Sequence, residues 1–153
     1  MKITHLLSFL IIFFFASCST PDYIYYTYDG TTVTRIDDED GIYFYHGRFN
    51  NGDSLPNSYL KATYKGRDGY MEGYLVFKDD NNVDLIRTGG IWDTINAGKH
   101  LKLTRFKDNA ASIKWNDEKE GNYNNVFQLS SAPESEIRWN KENKSNVNAE
   151  YMD

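Results

Sequence analysis

From Tyr23 to Ser130 the chain reads as short strand-like runs rich in aromatic and β-branched residues, each closed by Gly, Asn or Asp, with clear apolar–polar alternation over Tyr59 to Tyr64 and His100 to Phe106. A period of two along a short run is the mark of a half-buried β-strand. Tyr23 to Tyr28 and Thr31 to Ile36 are further strand candidates by their aromatic and β-branched content, separated by Asp29-Gly30. That dipeptide predicts a type I′ hairpin, whose two central residues both need positive φ. Asp37-Asp38-Glu39-Asp40-Gly41 follows as a charged turn. Further strands are expected at Ile42 to Phe49, Tyr59 to Tyr64, Tyr70 to Lys78, Val83 to Arg87 and Ile91 to Ile95. The last are His100 to Phe106, Ala111 to Trp115, Asn124 to Ser130 and a short Ile137 to Trp139. Asn50 to Asn57, Asp79 to Asn82, Gly89-Gly90 and Asn96 to Lys99 read as the intervening turns.

The pattern predicts an all-β domain over residues 23–139, an antiparallel meander of about 8–10 strands closing into a barrel or sandwich. Residues 140–153 are polar and are expected to form a flexible tail. Composition points the same way. The chain has 12 Tyr, 9 Phe and 3 Trp, and aromatic residues make up 16 % of it. Tyr, Phe, Trp, Val, Ile and Thr suit a pleated, half-buried surface.

The first 17 residues follow a different grammar. Lys2 gives a basic start, Leu6 to Phe15 is apolar except for Ser8, and Ala16-Ser17 precede Cys18, the chain's one cysteine. The apolar run is well short of the about 20 residues a membrane-spanning helix needs, so it reads as a secretory leader. Phe15-Ala16-Ser17-Cys18 resembles the lipobox of bacterial lipoproteins, with Phe15 standing where that family usually has Leu. The resemblance implies thioether lipidation of Cys18, cleavage before it, and palmitate-type acylation of the new amino terminus. Residues 1–17 would be the signal peptide and residues 18–22 a lipidated tether. Ser19 after the cysteine resembles outer-membrane sorting. The expected location is the cell outer membrane, periplasmic or surface-facing, with the membrane as a partner through the lipid.

Charge and cysteine count narrow the chemistry. With 17 Lys and Arg against 22 Asp and Glu, the formal net charge is −5. An acidic chain without a basic run is unsuited to nucleic acid. With Cys18 consumed, no disulfide, thiolate metal site or cysteine nucleophile remains.

No catalytic constellation emerges. Gly90-Ile91-Trp92 resembles the G-x-W element of lipocalins, although that family carries it on the first strand. Setting Gly41 at position 6 of a calcium loop places Ile36 and Gly47 at positions that require oxygen ligands. His46 and His100 lie on expected strands with no H-E-x-x-H or H-x-H spacing, and only a fold that brought those strands together would join them. Ser112 and Ser130 lack a nucleophile-elbow context. Glu72, Asp84 and Asp93 read as outward-facing strand residues, so no carboxylate pair stands out. The expectation is a non-enzymatic protein with no cofactor and no metal.

The surplus of tyrosine carries the functional expectation. Tyr43, Tyr45, Tyr59, Tyr70 and Trp92 are candidates for a ligand-binding face or barrel mouth that takes a small apolar ligand, a glycan or a protein. The alternative is an envelope inhibitor or immunity lipoprotein. In that reading the acidic loops 37–41 and 79–84 would block the basic cleft of a toxin or a lysozyme-like enzyme.

Overall fold

The computed structural model describes residues 21–63, 71–95, 98–105, 125–142 and 148–152. These form ten strands and one helix: β1 (Asp22–Tyr28), β2 (Thr31–Asp38), β3 (Gly41–His46), β4 (Tyr59–Thr63), β5 (Glu72–Phe77), β6 (Val83–Gly89), β7 (Ile91–Ile95), β8 (Leu101–Arg105), β9 (Val126–Ser130), α1 (Pro133–Glu142) and β10 (Asn148–Met152). One sheet has six strands in the order β10-β1-β2-β3-β4-β7, and the other has four in the order β8-β6-β5-β9. The all-β expectation holds. Among the described residues no ladder joins the two sheets, which leaves them as two layers and not a closed barrel.

The opening hairpin follows its sequence. Asp29 and Gly30 sit at φ 45° and 75°, the pair of left-handed residues that turn demands. Glycine is required for a different reason at Gly41, where a Cβ would stand 2.5 Å from the Ala62 carbonyl oxygen. The strict alternation along β1 to β4 sends one set of side chains inward. Ile24, Tyr26, Val33, Ile42, Phe44, Leu60 and Ala62 meet Leu75, Phe77, Leu85, Phe127 and Leu129 of the second sheet. Tyr26 meets Phe127 edge-on at 4.6 Å, and Phe44 lies 5.8 Å from Trp92.

After β4 the meander gives way. β5 and β6 form a hairpin in the second sheet, and Gly90, at φ 85°, turns the chain back so that β7 pairs with β4. β8 then returns to lie parallel to β6. Parallel neighbours cannot be joined by a tight turn; here β7, in the opposite layer, serves as the crossover.

Two segments depart from the sequence reading. Ile137 to Trp139 is not a strand but part of α1. Pro133 opens that helix, where its missing N–H is no loss, and Glu134 and Glu136 lie in its acidic first turn. Residues 148–152, expected within a polar tail, form β10 and pair with β1 from Tyr23↔Met152 to Thr27↔Asn148. Ala149 and Tyr151 pack against the core, so the strand alternates even though its composition is polar. Ala111 to Trp115 lies outside the described residues.

Helix α1 is fastened by a buried polar network. Arg35 on β2 is fully buried and Glu136 is 3 % exposed. Arg35 donates to Asp37 through Nε and Nη2 (2.5 and 2.6 Å), to the Ser130 carbonyl (2.9 Å) and to Glu136 Oε1 (2.8 Å). Glu136 also accepts from the Tyr26 hydroxyl at 2.9 Å and from the Ser130 backbone N–H. Arg35 thus ties β2 to β9 and the helix, and Glu136 extends the tie to β1 through Tyr26.

Burial pushes the Glu136 carboxyl up to about 7, against the lowering pull of Arg35, the Ser130 N–H and the Tyr26 hydroxyl. A folded state that holds its proton more tightly than the unfolded chain is most stable at acid pH. This contribution is complete below the ordinary carboxylate range and is lost as pH rises through about 7. Denaturant titrations across that window should show wild-type stability falling with pH by an amount of order 2–3 kcal/mol relative to Glu136→Gln. Parallel pH profiles for the two proteins would contradict this. Deleting residues 148–152 should lower stability by about 2 kcal/mol or more, because Tyr151 and the β1 ladder lose their cover; equilibrium unfolding measures the loss.

Candidate functional site

The outer face of the six-stranded sheet is as aromatic as the inner one. Alternation that sends Ile24 and Tyr26 inward sends Tyr23 and Tyr25 outward, together with Ile36, Tyr43, Tyr45 and Tyr59 from the next strands. Part of this face is covered. The connection from β3 to β4 folds over it, with Tyr25 Oη donating to the Phe49 carbonyl (3.0 Å) and to Asn50 Oδ1 (3.2 Å). Thr34 Oγ1 donates to the Gly47 carbonyl and accepts from the Phe49 N–H. Arg48 lies over the Tyr25 ring, 4.1 Å from its centroid, and pairs with Glu150 of β10. This segment explains why Tyr25 and Tyr45 are buried on an outward face.

Beyond that cover, three of the five aromatic candidates come together. Tyr43 stacks near-parallel on Tyr45, with centroids 6.4 Å apart and planes at 16°. Tyr59 meets Tyr43 at 5.4 Å and Tyr45 at 5.5 Å, both tilted. Phe49 closes the far side of Tyr45 at 6.0 Å. Tyr43 and Tyr59 remain half-buried, so their rings are open to solvent on one side.

A charged rim adjoins the tyrosines. Lys61 stands directly opposite Tyr43 in the β3–β4 ladder, with its Nζ 4.6 Å from the Tyr43 ring centroid. Asp40 accepts from both neighbours at 2.6 Å, from Lys61 Nζ and from the Tyr43 hydroxyl. The sequence pattern does not single out Lys61, and it places Asp40 only within the acidic loop 37–41. The signal was available, because Lys61 shares the outward parity of Tyr59 along β4.

The electrostatics suit binding better than proton transfer. The Lys61 hydrogen bond holds the Asp40 carboxyl below its usual range, and Asp40 in turn raises Lys61. Burial raises Tyr43, helped by its bond to Asp40, and pushes Tyr45 up to about 12, helped by Tyr59 and Tyr43. All four groups move away from neutrality, whereas a general acid or base works best with its pKa near the operating pH. What the cluster presents is neutral aromatic faces beside a fixed carboxylate and ammonium.

The remaining candidates lie elsewhere. Trp92 belongs to the core between the layers, 6 % exposed, and its indole N–H donates to the Gly89 carbonyl at 2.7 Å. Tyr70 and Cys18 lie outside the described residues. Asp84 is on the second sheet, bonded to Lys78, while Asp93 is exposed on the first, opposite Lys61. The acidic loops 37–41 and 79–84 are far apart. Thr31, at the start of β2, donates to Asn81 Oδ1, whereas Asp37 and Asp38 end the same strand. An eight-residue strand separates the two loops by roughly 25 Å.

Among the described residues no helix is long and apolar enough to cross a membrane, and no group of three or more His, Cys, Asp or Glu is placed to hold a metal ion. Comparison with protein-family models, with curated proteins and with solved structures finds no match to this chain.

The rim makes its own prediction. In Asp40→Asn the amide replaces the carboxylate that holds Lys61 over Tyr43. Lys61 should then titrate at lower pH, as followed by the NMR shifts of its ε-methylene, while stability changes by less than about 1 kcal/mol because the pair is at the surface. An unmoved Lys61 titration would contradict the assigned contact.

Proposed function

We propose that this chain is a lipid-anchored envelope protein that binds a saccharide on the outer face of its six-stranded sheet. The observation that carries the reading is the Tyr43–Tyr45–Tyr59 cluster with the Asp40–Lys61 pair at its edge. A sugar ring offers flat patches of C–H bonds to an aromatic face and hydroxyls, both donors and acceptors, at its margin. Half-exposed Tyr43 and Tyr59 supply the first surface. Asp40 supplies an acceptor, Lys61 supplies donors, and the Tyr43 hydroxyl, whose hydrogen goes to Asp40, keeps acceptor capacity. A purely apolar ligand would leave that charged rim unused, and the tyrosines face outward instead of into a space between the sheets.

The lipobox-like leader supports the anchor. From Cys18 to Asp22 the chain reaches at most about 14 Å, which would hold the start of β1 near the bilayer. The antiparallel register places Asp40, Tyr43 and Lys61 toward that same end, since Asp22 lies beside Asp37 and Gly41 beside Thr63. The saccharide would then be one found close to the membrane surface, such as the glycan part of a glycolipid or of the cell wall. The separation of the two acidic loops weighs against the inhibitor reading, because one basic cleft would not engage both.

Two measurements test this reading. Metabolic palmitate labelling should mark the wild type and not Cys18→Ala; a labelled Cys18→Ala protein rejects the anchor. The mature protein, purified in detergent, should bind envelope oligosaccharides in a tyrosine-fluorescence titration. Tyr43→Ala and Tyr59→Ala should each weaken binding about tenfold, or about 1.4 kcal/mol. Affinity unchanged in both variants, with the fold intact by circular dichroism, rejects the aromatic face as the site.

A further inference from the structure

At the end of the sandwich away from Asp22, two histidines from different sheets come face to face. His46 closes β3, and His100 lies immediately before β8. Their ring centroids are 5.3 Å apart, and the planes are inclined at 32°. Both rings are half-buried, so each keeps an open side.

The β5–β6 turn fixes how each imidazole carries its proton. His46 Nε2 lies 2.7 Å from the Asn81 carbonyl oxygen. A carbonyl only accepts, so this nitrogen bears the hydrogen. His100 Nδ1 lies 3.2 Å from Asn82 Oδ1. The Asn82 amide nitrogen donates to the Asp79 carbonyl at 3.4 Å, which sets the amide oxygen toward the ring and makes Nδ1 the donor. In the neutral rings the opposite nitrogens, His46 Nδ1 and His100 Nε2, therefore carry bare lone pairs.

The turn that imposes this arrangement is itself held in place. Thr31 Oγ1 donates to Asn81 Oδ1 at 2.7 Å, Lys78 N–H to the Asn82 carbonyl at 2.8 Å, and Val83 N–H to the His100 carbonyl at 2.8 Å. Asp80 and Asn81 take left-handed φ of 62° and 59°, an uncommon conformation for residues with a side chain.

A histidine that ligates a metal characteristically donates its other N–H to a carbonyl or carboxylate, which fixes tautomer and ring orientation. Both rings meet that condition. The spacing also fits. A metal about 2.0–2.1 Å from each nitrogen at the tetrahedral angle, with each nitrogen about 1.15 Å from its ring centre, sets the centroids roughly 5.2 Å apart. Imidazole nitrogen selects zinc, copper or nickel over magnesium and calcium, which prefer oxygen. The turn contributes Asp79 and Asp80 to the local charge. Of the nearby cations, Lys78 is paired with Asp84, and Lys99 is exposed beside His100.

We propose that His46 Nδ1 and His100 Nε2 form a two-nitrogen site for a divalent transition metal of the zinc, copper and nickel group, its remaining positions filled by water. With two protein ligands the site exchanges its metal readily and leaves open positions for an outside donor.

The test uses the mature protein in detergent, titrated with zinc and, separately, with magnesium. Long-range proton–nitrogen NMR of the metal-free protein should show His46 protonated at Nε2 and His100 at Nδ1. Zinc should shift His46 Nδ1 and His100 Nε2 together at one saturable site and raise the melting temperature, while magnesium does neither. His46→Gln and His100→Gln should each weaken zinc binding about tenfold or more. Ring nitrogens that do not move at millimolar zinc overturn the proposal. So does zinc binding of undiminished affinity in the double variant, which would place the ion on surface carboxylates. The wild-type NMR reading stands even if a variant fails to fold.

Discussion

A guanidinium stays ionised at any physiological pH, so an arginine enclosed by a protein must be enclosed together with its counter-charges. Arg35 imposes that constraint here. Its position on β2 alternates inward between Val33 and Asp37, in the line that elsewhere holds Ile24, Phe44 and Leu60. Asp37, two residues along the same strand, takes one edge of the guanidinium, and the other edge reaches the second layer through the Ser130 carbonyl and the helix through Glu136. Apolar contact alone would let the layers slide against each other. The fork of donors fixes where β9 ends and where α1 begins. Buried pairs of this kind often stabilise no more than a well-packed apolar substitute would, so the network is better understood as a device of register than of strength.

Much of the β-structure was legible from residue pattern. Asp29-Gly30 named its turn type, and the alternation over Tyr59 to Tyr64 marked β4. The helix escapes the strand reading of Ile137 to Trp139 because its start signal lies upstream, in Pro133 and the acidic Glu134 and Glu136. β10 was missed because Asn148 and Glu150 mask the alternation of Ala149 and Tyr151. The parallel pairing of β6 with β8 has no local signal. It exists only because β7 occupies the other layer.

The outward tyrosines were legible in kind but not in grouping. Tyr43, Tyr45 and Tyr59 share a face because β3 and β4 are neighbours in register, which alternation on a single strand does not reveal. Trp92 has the opposite parity on β7 and joins Phe44 instead. The two histidines show the same limit more sharply. Separated by four intervening strands in sequence, they meet because the β5–β6 turn of the second sheet is bonded to the ends of β2 and β3 in the first.

The pairing of β1 with β10 has a consequence for how the chain reaches this state. The earliest and latest strands of the described domain are side by side, so one edge of the larger sheet stays unprotected until Met152 has been synthesised and brought back. Closing so long a loop is entropically slow compared with forming the β1–β2 hairpin. The hairpins therefore have time to form first, and the final strand acts as a latch that covers β1 and completes the larger sheet.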